Sequence, residues 1–124
     1  KAGEADWNVM EEPRDHAPEQ VFQHELATDH NGNTFAAFVN DELQIGLCIR
    51  FEKSAIPYLT QWKRLASGDF AMPTNCGFDG RAGATEILKP FEKHVNRIRF
   101  QILDGEDEIE LLEHECREVL ECTM

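Results

Sequence analysis

The clearest pattern in the chain is a strict alternation of apolar and other residues between positions 43 and 51. Successive side chains of a β-strand point to opposite faces, so such a pattern predicts an antiparallel strand with one buried face. Five apolar residues occupy that face: Leu43, Ile45, Leu47, Ile49 and Phe51.

Residues 94–103 alternate in the same way and predict a second long strand. Ile98, Phe100 and Ile102 lie on one side of it, and Asp104-Gly105 ends it. Shorter apolar or aromatic stretches predict further strands at 21–26, 34–39, 58–64, 69–72 and 86–88.

Turn signals separate these stretches. The Asn-Gly pair within His30–Asn33 suits the positive φ of a tight hairpin, and it predicts that 34–39 returns as the next strand. Asn40-Asp41-Glu42 predicts another turn, and 52–57 a loop closed by Pro57. Residues 73–83 predict an irregular loop.

The C-terminal segment has a helical period instead. Residues 104–124 carry nine acids and one base, Arg117. Ile109, Leu112, Cys116 and Val119 recur at spacings of 3, 4 and 3, which predicts an amphipathic helix. Such a helix either docks its apolar stripe on the body of the protein or binds a partner.

Together these elements predict a mainly β protein: part of an antiparallel β-sandwich followed by a C-terminal amphipathic helix. We expect an irregular leader at 1–20, the β-sandwich portion at 21–105 and the acidic helix at 106–124. The chain has 124 residues, which fits one domain.

Charge and composition narrow the class of function. The net charge is −12, which argues against nucleic acid and anionic membranes as partners, because both require a positive patch. We find neither an apolar stretch long enough to span a membrane nor a signal-peptide core, and the first residue is not Met. We therefore expect a cytoplasmic protein and interpret the chain as a fragment or a trimmed product.

The four cysteines, Cys48, Cys76, Cys116 and Cys122, form no CxxC pair and predict reduced thiols. A metal site at His114, Cys116 and Cys122 is disfavoured, because helix positions 114 and 116 diverge by about 200°. We expect no metal and no cofactor.

Several stretches resemble a known family. They are PEQVF (18–22), LQIGLCIRFEKSAIPYLTQWKRLASGDF (43–70), PTNCGFDGRA (73–82) and FQILDG (100–105). In this order they resemble the aldose 1-epimerase-like proteins of the DUF4432 group, within the galactose mutarotase-like superfamily. The most specific part is IPYLTQWK followed by PTNC and GRA.

The resemblance implies a larger antiparallel sandwich, of which this chain is the C-terminal part. It also implies a hexose bound in a groove across one sheet, and proton transfers at the anomeric centre. Within the motifs, the resemblance makes four residues candidates for substrate binding: Trp62, Lys63, Asn75 and Arg81.

Each of these candidates also has a purely structural interpretation. Trp62 can be a core residue, Lys63 a solvated charge, Asn75 a backbone cap, and Arg81 the ion-pair partner of Asp79. The catalytic pair is not identified. His24 can face a cleft, but a satisfied or surface histidine is the simpler interpretation.

Three departures from the family pattern bear on catalysis. A Gly-x-Glu triplet is expected before the Pro of the PxNC run, but Met72 directly precedes Pro73, and a second contraction follows Ala82. Gln61 stands where the family has Glu. Either the protein has lost catalysis, or loop residues are missing from this sequence.

Three functions stay open on these grounds. The first is an aldose 1-epimerase-like isomerase that binds a hexose-like carbohydrate. The second is a non-catalytic carbohydrate-binding or regulatory module, and the third an interaction domain that uses its acidic helix. A half-sandwich exposes strand edges, so we also expect a homo-oligomer or a complementary chain.

Overall fold

The computed structural model describes residues 7–9, 12, 15–16, 19–64, 68–74 and 87–123. In this part of the chain it contains six strands and one helix, which confirms the mainly β class with a C-terminal helix. In chain order they are β1 (Gln20–His24), β2 (Asn33–Asn40), β3 (Ile45–Glu52), β4 (Tyr58–Arg64), β5 (Gly68–Thr74), β6 (Ile98–Asp104) and α1 (Glu106–Thr123).

The chain divides into two compact units, and each contains one antiparallel sheet. The first unit comprises Lys1–Glu25 and Tyr58–Glu86, and its sheet has the order β1-β4-β5. The second comprises Leu26–Pro57 and Ile87–Met124, with the order β2-β3-β6. The sandwich arrangement of the sheets stays a prediction. Among the described residues, α1 is too polar to be a membrane-spanning helix, and no other helix occurs.

The sheet of the first unit is centred on β4, which the sequence predicts with both ends correct. Pro57 fixes the start of this strand, and the aromatic and β-branched residues that follow favour extended backbone. Lys63 is the register partner of Gln20 on one side and of Asp69 on the other. β5 extends through Pro73 and Thr74, so the prediction of a loop at 73–83 is wrong at these two positions, and the rest of that range lies outside the described residues.

The sheet of the second unit is built on the β2–β3 hairpin. The amide N–H of Leu43 donates to the Asn40 side chain at 2.9 Å, and Gln44 adopts a positive φ of 52°. Gly46 is required just after this turn, because a Cβ there would lie 2.8 Å from the carbonyl oxygen of Phe38. Leu43 therefore belongs to the turn and not to the strand.

The hairpin predicted at His30–Asn33 is wrong, although the turn itself forms. The Asp29 carboxylate accepts the N–H groups of Asn31 and Asn33 at 2.8 and 2.9 Å, and Gly32 has a φ of 81°. However, β1 pairs with β4 and β2 pairs with β3. Local turn chemistry reverses the chain here, but it does not decide which strands pair.

The prediction that one face of β3 is buried also needs correction. Ile49 and Phe51 are buried, but Leu43, Ile45 and Leu47 are 71%, 44% and 36% exposed. Helix α1 packs on the opposite face, where four residues form the core cluster: Cys48, Leu103, Ile109 and Leu112. Alternation predicts which residues share a face, but not which face is covered.

Helix α1 buries only the first part of its predicted stripe. Ile109 and Leu112 are buried, whereas Cys116 is exposed. The first turn is acidic, and Glu108 there accepts the N–H of Asp104 at 2.6 Å, which satisfies a backbone donor next to the helix start.

Two other strand predictions are wrong, one over its described residues and one at its start. The described part of 86–88 forms no strand, and Ile87 is 83% exposed. β6 begins at Ile98 rather than at His94, whose imidazole Nε2 lies 3.0 Å from the carbonyl oxygen of Ala55.

Candidate functional site

Trp62 and Lys63 are neighbours on β4, so their side chains point to opposite faces of the sheet. Lys63 is fully buried, and its Nζ donates to the carbonyl oxygen of Val9 at 2.5 Å. Trp62 is 37% exposed. The structure therefore does not bring these two predicted site residues together, and Asn75 and Arg81 lie outside the described residues.

A polar cluster forms on the face of β4 that carries Lys63. Gln61 is 6% exposed and uses both ends of its amide. Its Nε2 donates to the carbonyl oxygen of Trp7 at 2.8 Å, and its Oε1 lies 2.9 Å from Nε2 of His24. Because β1 pairs with β4, His24 and Gln61 lie on the same face of the sheet.

These contacts fix the tautomer of His24. The amide nitrogen of Gln61 must be the donor to the Trp7 carbonyl, so its Oε1 must accept a hydrogen bond. His24 Nε2 therefore carries the hydrogen, which leaves the lone pair of the neutral imidazole on Nδ1. A glutamate in place of Gln61 would lack the donor for Trp7.

Aromatic rings surround this histidine. The ring centroid of Trp7 lies 4.9 Å from that of His24 in an edge-on arrangement, and the ring of Phe22 stacks at 6.4 Å. Trp7 is 44% exposed, so part of its indole faces solvent. We call this set the His24 cluster: Trp7, Phe22, His24, Gln61 and Lys63.

The two buried polar side chains of β4 have a common role. Gln61 binds the backbone at Trp7, and Lys63 binds it two residues later, at Val9. Together they hold the segment 7–9 against the sheet, and so they place the indole beside the imidazole. The arrangement offers an apolar ring surface and an orientated imidazole.

Sequence reasoning missed most of this cluster. Trp7 lies in the predicted leader, and Gln61 enters the sequence analysis only as a departure from a motif. The only local signal for Trp7 is a lone tryptophan in a polar segment. His24, interpreted there as a satisfied or a surface histidine, does have a partner, but that partner is 37 residues away in the chain.

The second unit contains a separate charged contact between α1 and its sheet. The guanidinium of Arg50 donates to both carboxylate oxygens of Glu115, at 2.6 and 2.8 Å, and to Gln101 at 3.1 Å. It also lies 5.0 Å from the ring centroid of Phe35. The hydrogen bonds from Arg50 lower the pKa of Glu115, and the same contact raises the pKa of Arg50.

The described cysteines are free thiols. Cys48 is buried, and burial is the main cause that raises the pKa of its thiol. Cys122 lies 3.2 Å from Nε2 of His30, but within the described ranges no group of three metal-ligating side chains comes together.

The family model of a domain of unknown function, DUF4432, matches residues 1–102. The chain belongs to this family. Neither a curated protein nor a solved structure matches it. The DUF4432 match covers the whole His24 cluster, and it ends before α1 begins at Glu106.

Proposed function

We propose that this DUF4432 protein binds a hexose-like carbohydrate and interconverts its anomers as an aldose 1-epimerase-like isomerase. Membership of the galactose mutarotase-like superfamily and a cytoplasmic location are parts of this proposal. The observation that carries it is the His24 cluster, in which a half-exposed indole lies 4.9 Å from an imidazole of fixed tautomer.

The His24 cluster contains the kinds of group to which sugars bind. A sugar presents C–H groups that pack on an aromatic surface, and hydroxyls that need donors and acceptors in fixed directions. The indole of Trp7 supplies the surface, and Nδ1 of His24 supplies an acceptor. In this proposal Asn75 and Arg81 add hydrogen bonds, while Trp62 is a second aromatic surface on the other face of the sheet.

Ring opening of a hexose requires a base at the anomeric hydroxyl and an acid at the ring oxygen. His24 is the base in this proposal, because its Nδ1 lone pair can take the anomeric proton. The electron pair of that O–H bond forms the aldehyde as the bond between C1 and the ring oxygen breaks, and solvent water protonates the ring oxygen. Lys63 and Gln61 are positioning residues here, since their hydrogen bonds go to the backbone of the segment 7–9.

Magnetisation exchange between the α and β anomers, followed by NMR with the full chain, tests the activity. We expect the exchange of at least one hexose to exceed the uncatalysed rate, and His24→Ala to return it to that rate. His114→Ala is the matched control, because His114 is exposed on α1. Background exchange for every hexose would refute the isomerase.

One observation favours the non-catalytic alternative. Gln61 stands where the resembled family has a glutamate, and because an amide does not ionise, this side chain cannot act as the acid–base partner of His24. A carbohydrate-binding or regulatory module would then bind a hexose in calorimetry without accelerating exchange. Trp7→Ala would weaken that binding, and Leu111→Ala, at an exposed position of α1, would leave it unchanged.

The interaction alternative rests on α1, which carries three acids in its first turn and no base in its last. It requires a basic partner whose binding weakens with salt. Neutralising Glu110 and Glu113, which are both exposed, would abolish such a complex without removing core residues. The expected homo-oligomer or complementary chain also stays a prediction.

A further inference from the structure

The second unit contains a cavity of about 780 Å³ that takes no part in the proposed hexose site. Strands β2 and β3, the segment 96–99 and helix α1 line it. Pockets for small ligands usually enclose roughly 300–1,000 Å³, so its size suits a small molecule. The contact between Arg50 and Glu115 joins the sheet to the helix at this cavity.

The three acids that line the cavity are engaged with other groups. Asp29 accepts two backbone N–H groups of its own turn. Glu52 accepts the hydroxyl of Ser54 at 2.6 Å. Glu115 binds Arg50 with both oxygens. Each carboxylate therefore already has a partner that orients it.

Two arginines at the same cavity differ from these acids. Arg97 and Arg99 line it and are exposed. Among the residues that the structure describes, no hydrogen bond or ion pair joins either guanidinium to an acid. This is unexpected in a chain with 24 acids and 12 bases.

The strand register places Arg99 where its charge is expected to destabilise the sheet. Arg99 is the direct cross-strand partner of Arg50, and like charges in opposite positions of a sheet destabilise it. Glu115 neutralises Arg50, but its two oxygens are both occupied by that guanidinium. An anion bound beside Arg99 would remove the remaining repulsion.

From this geometry we infer that the cavity binds a small ligand through a carboxylate or phosphate group, held by Arg97 and Arg99. Guanidinium groups bind both kinds of oxyanion with paired hydrogen bonds. Asn33 and Asn96 also line the cavity, so hydroxyls on the ligand would meet amide groups. This site is independent of the His24 cluster.

Chemical-shift titrations of the full ¹⁵N-labelled chain test the inference with three probes. Inorganic phosphate and gluconate represent the two anion types, and sorbitol is the uncharged control. We expect at least one anion to give saturable shifts in residues 96–99, and sorbitol to give none. Saturation by phosphate alone, or by gluconate alone, identifies the group that is recognised.

Amino-acid substitutions distinguish a specific binding site from a general attraction between opposite charges. The double variant Arg97→Gln/Arg99→Gln is expected to raise the Kd of the saturating anion at least about tenfold, the effect of losing one charged hydrogen bond. The control Lys89→Gln/Arg117→Gln removes the same charge away from the cavity, and it should change the Kd less than about twofold.

Arg99→Lys keeps the charge but loses the paired hydrogen bonds, and it tests the site if the double variant does not fold. It should also weaken binding about tenfold. Shifts that stay linear with both anions, equal saturation by sorbitol, or equal weakening in the Lys89/Arg117 control would overturn the inference.

Discussion

The two sheets of the protein differ in the proportion of polar side chains that they bury. The sheet β1-β4-β5 buries Lys63 and Gln61, whereas the sheet β2-β3-β6 buries Cys48 and Leu103 under α1. Apolar burial is favourable without any specific partner, but a buried polar group destabilises the fold unless it is hydrogen-bonded. The second sheet is thus stabilised mainly by apolar burial, whereas the first, which buries Leu59 as well, depends on hydrogen bonds to keep two polar side chains in its interior.

The largest expected effect tests the apolar side of this comparison. Leu103→Ala removes a side chain that is 1% exposed from the cluster beneath α1. It should lower the free energy of unfolding by about 2–5 kcal/mol, measured by urea titration, because a cavity is left behind. Leu111→Ala is the matched control: it removes the same side chain, but from a position of α1 that is 71% exposed. Equal losses in the two variants would mean that α1 is not docked through this face.

A smaller loss of unfolding free energy is expected from a substitution of a buried polar residue in the sheet β1-β4-β5. Lys63→Met keeps most of the volume but leaves the carbonyl oxygen of Val9 without its Lys63 donor. We expect a loss of about 1–3 kcal/mol in the same titration. In a Trp62→Phe background the fluorescence of Trp7 should shift to longer wavelength as the segment 7–9 is released. Lys93→Met, at an exposed position, should change neither quantity, and a stabilised Lys63→Met would contradict the role given to this lysine.

The contact between Arg50 and Glu115 should contribute less, because the two side chains are 25% and 41% exposed. Glu115→Gln is expected to cost about 1 kcal/mol or less at neutral pH. Because folding lowers the pKa of Glu115, the stabilisation is complete above the unfolded-state pKa and disappears as the pH falls through the folded one.

Urea titrations of the wild type and of Glu115→Gln between pH 7 and pH 3 test the direction of this pH dependence. The difference between the wild type and Glu115→Gln should narrow as the pH falls through about 4.5, the pKa of an unfolded glutamate, towards the lower pKa of the folded state. A difference that widens in acid would show that Glu115 is not stabilised as a carboxylate.

The smallest effect is expected on the face of β2-β3-β6 opposite α1. Phe100 and Ile102 are 60% and 64% exposed there. Phe100→Thr should alter the free energy of unfolding by no more than about 0.5 kcal/mol, as at other surface positions. A loss comparable to that of Leu103→Ala would show that a partner covers this face in solution, and sedimentation velocity would then detect the assembly.

The sequence was sufficient for features that depend on neighbouring residues. β4 follows from Pro57 and its aromatic content, and the early turns of α1 follow from the spacing of Ile109 and Leu112. Family membership likewise follows from contiguous motifs. Each of these signals lies within a short window of the chain.

What the sequence did not predict depends on contacts across the chain. The alternation in β3 is real, but α1 docks on the face with Cys48, and of the predicted apolar face only Ile49 and Phe51 are buried. The His24 cluster joins Trp7 to Gln61 across 54 positions of sequence, and no local pattern encodes such a pairing. Site residues were therefore harder to predict than strands.

The contrast between the cysteines makes the molecule convenient to label. The thiol of Cys48 is enclosed and its raised pKa keeps it protonated, whereas Cys116 and Cys122 are open to reagents on α1. After Cys76 is replaced by serine, a maleimide dye would attach to the helix and leave the interior untouched. Fluorescence anisotropy would then follow the C-terminal helix alone during ligand titrations.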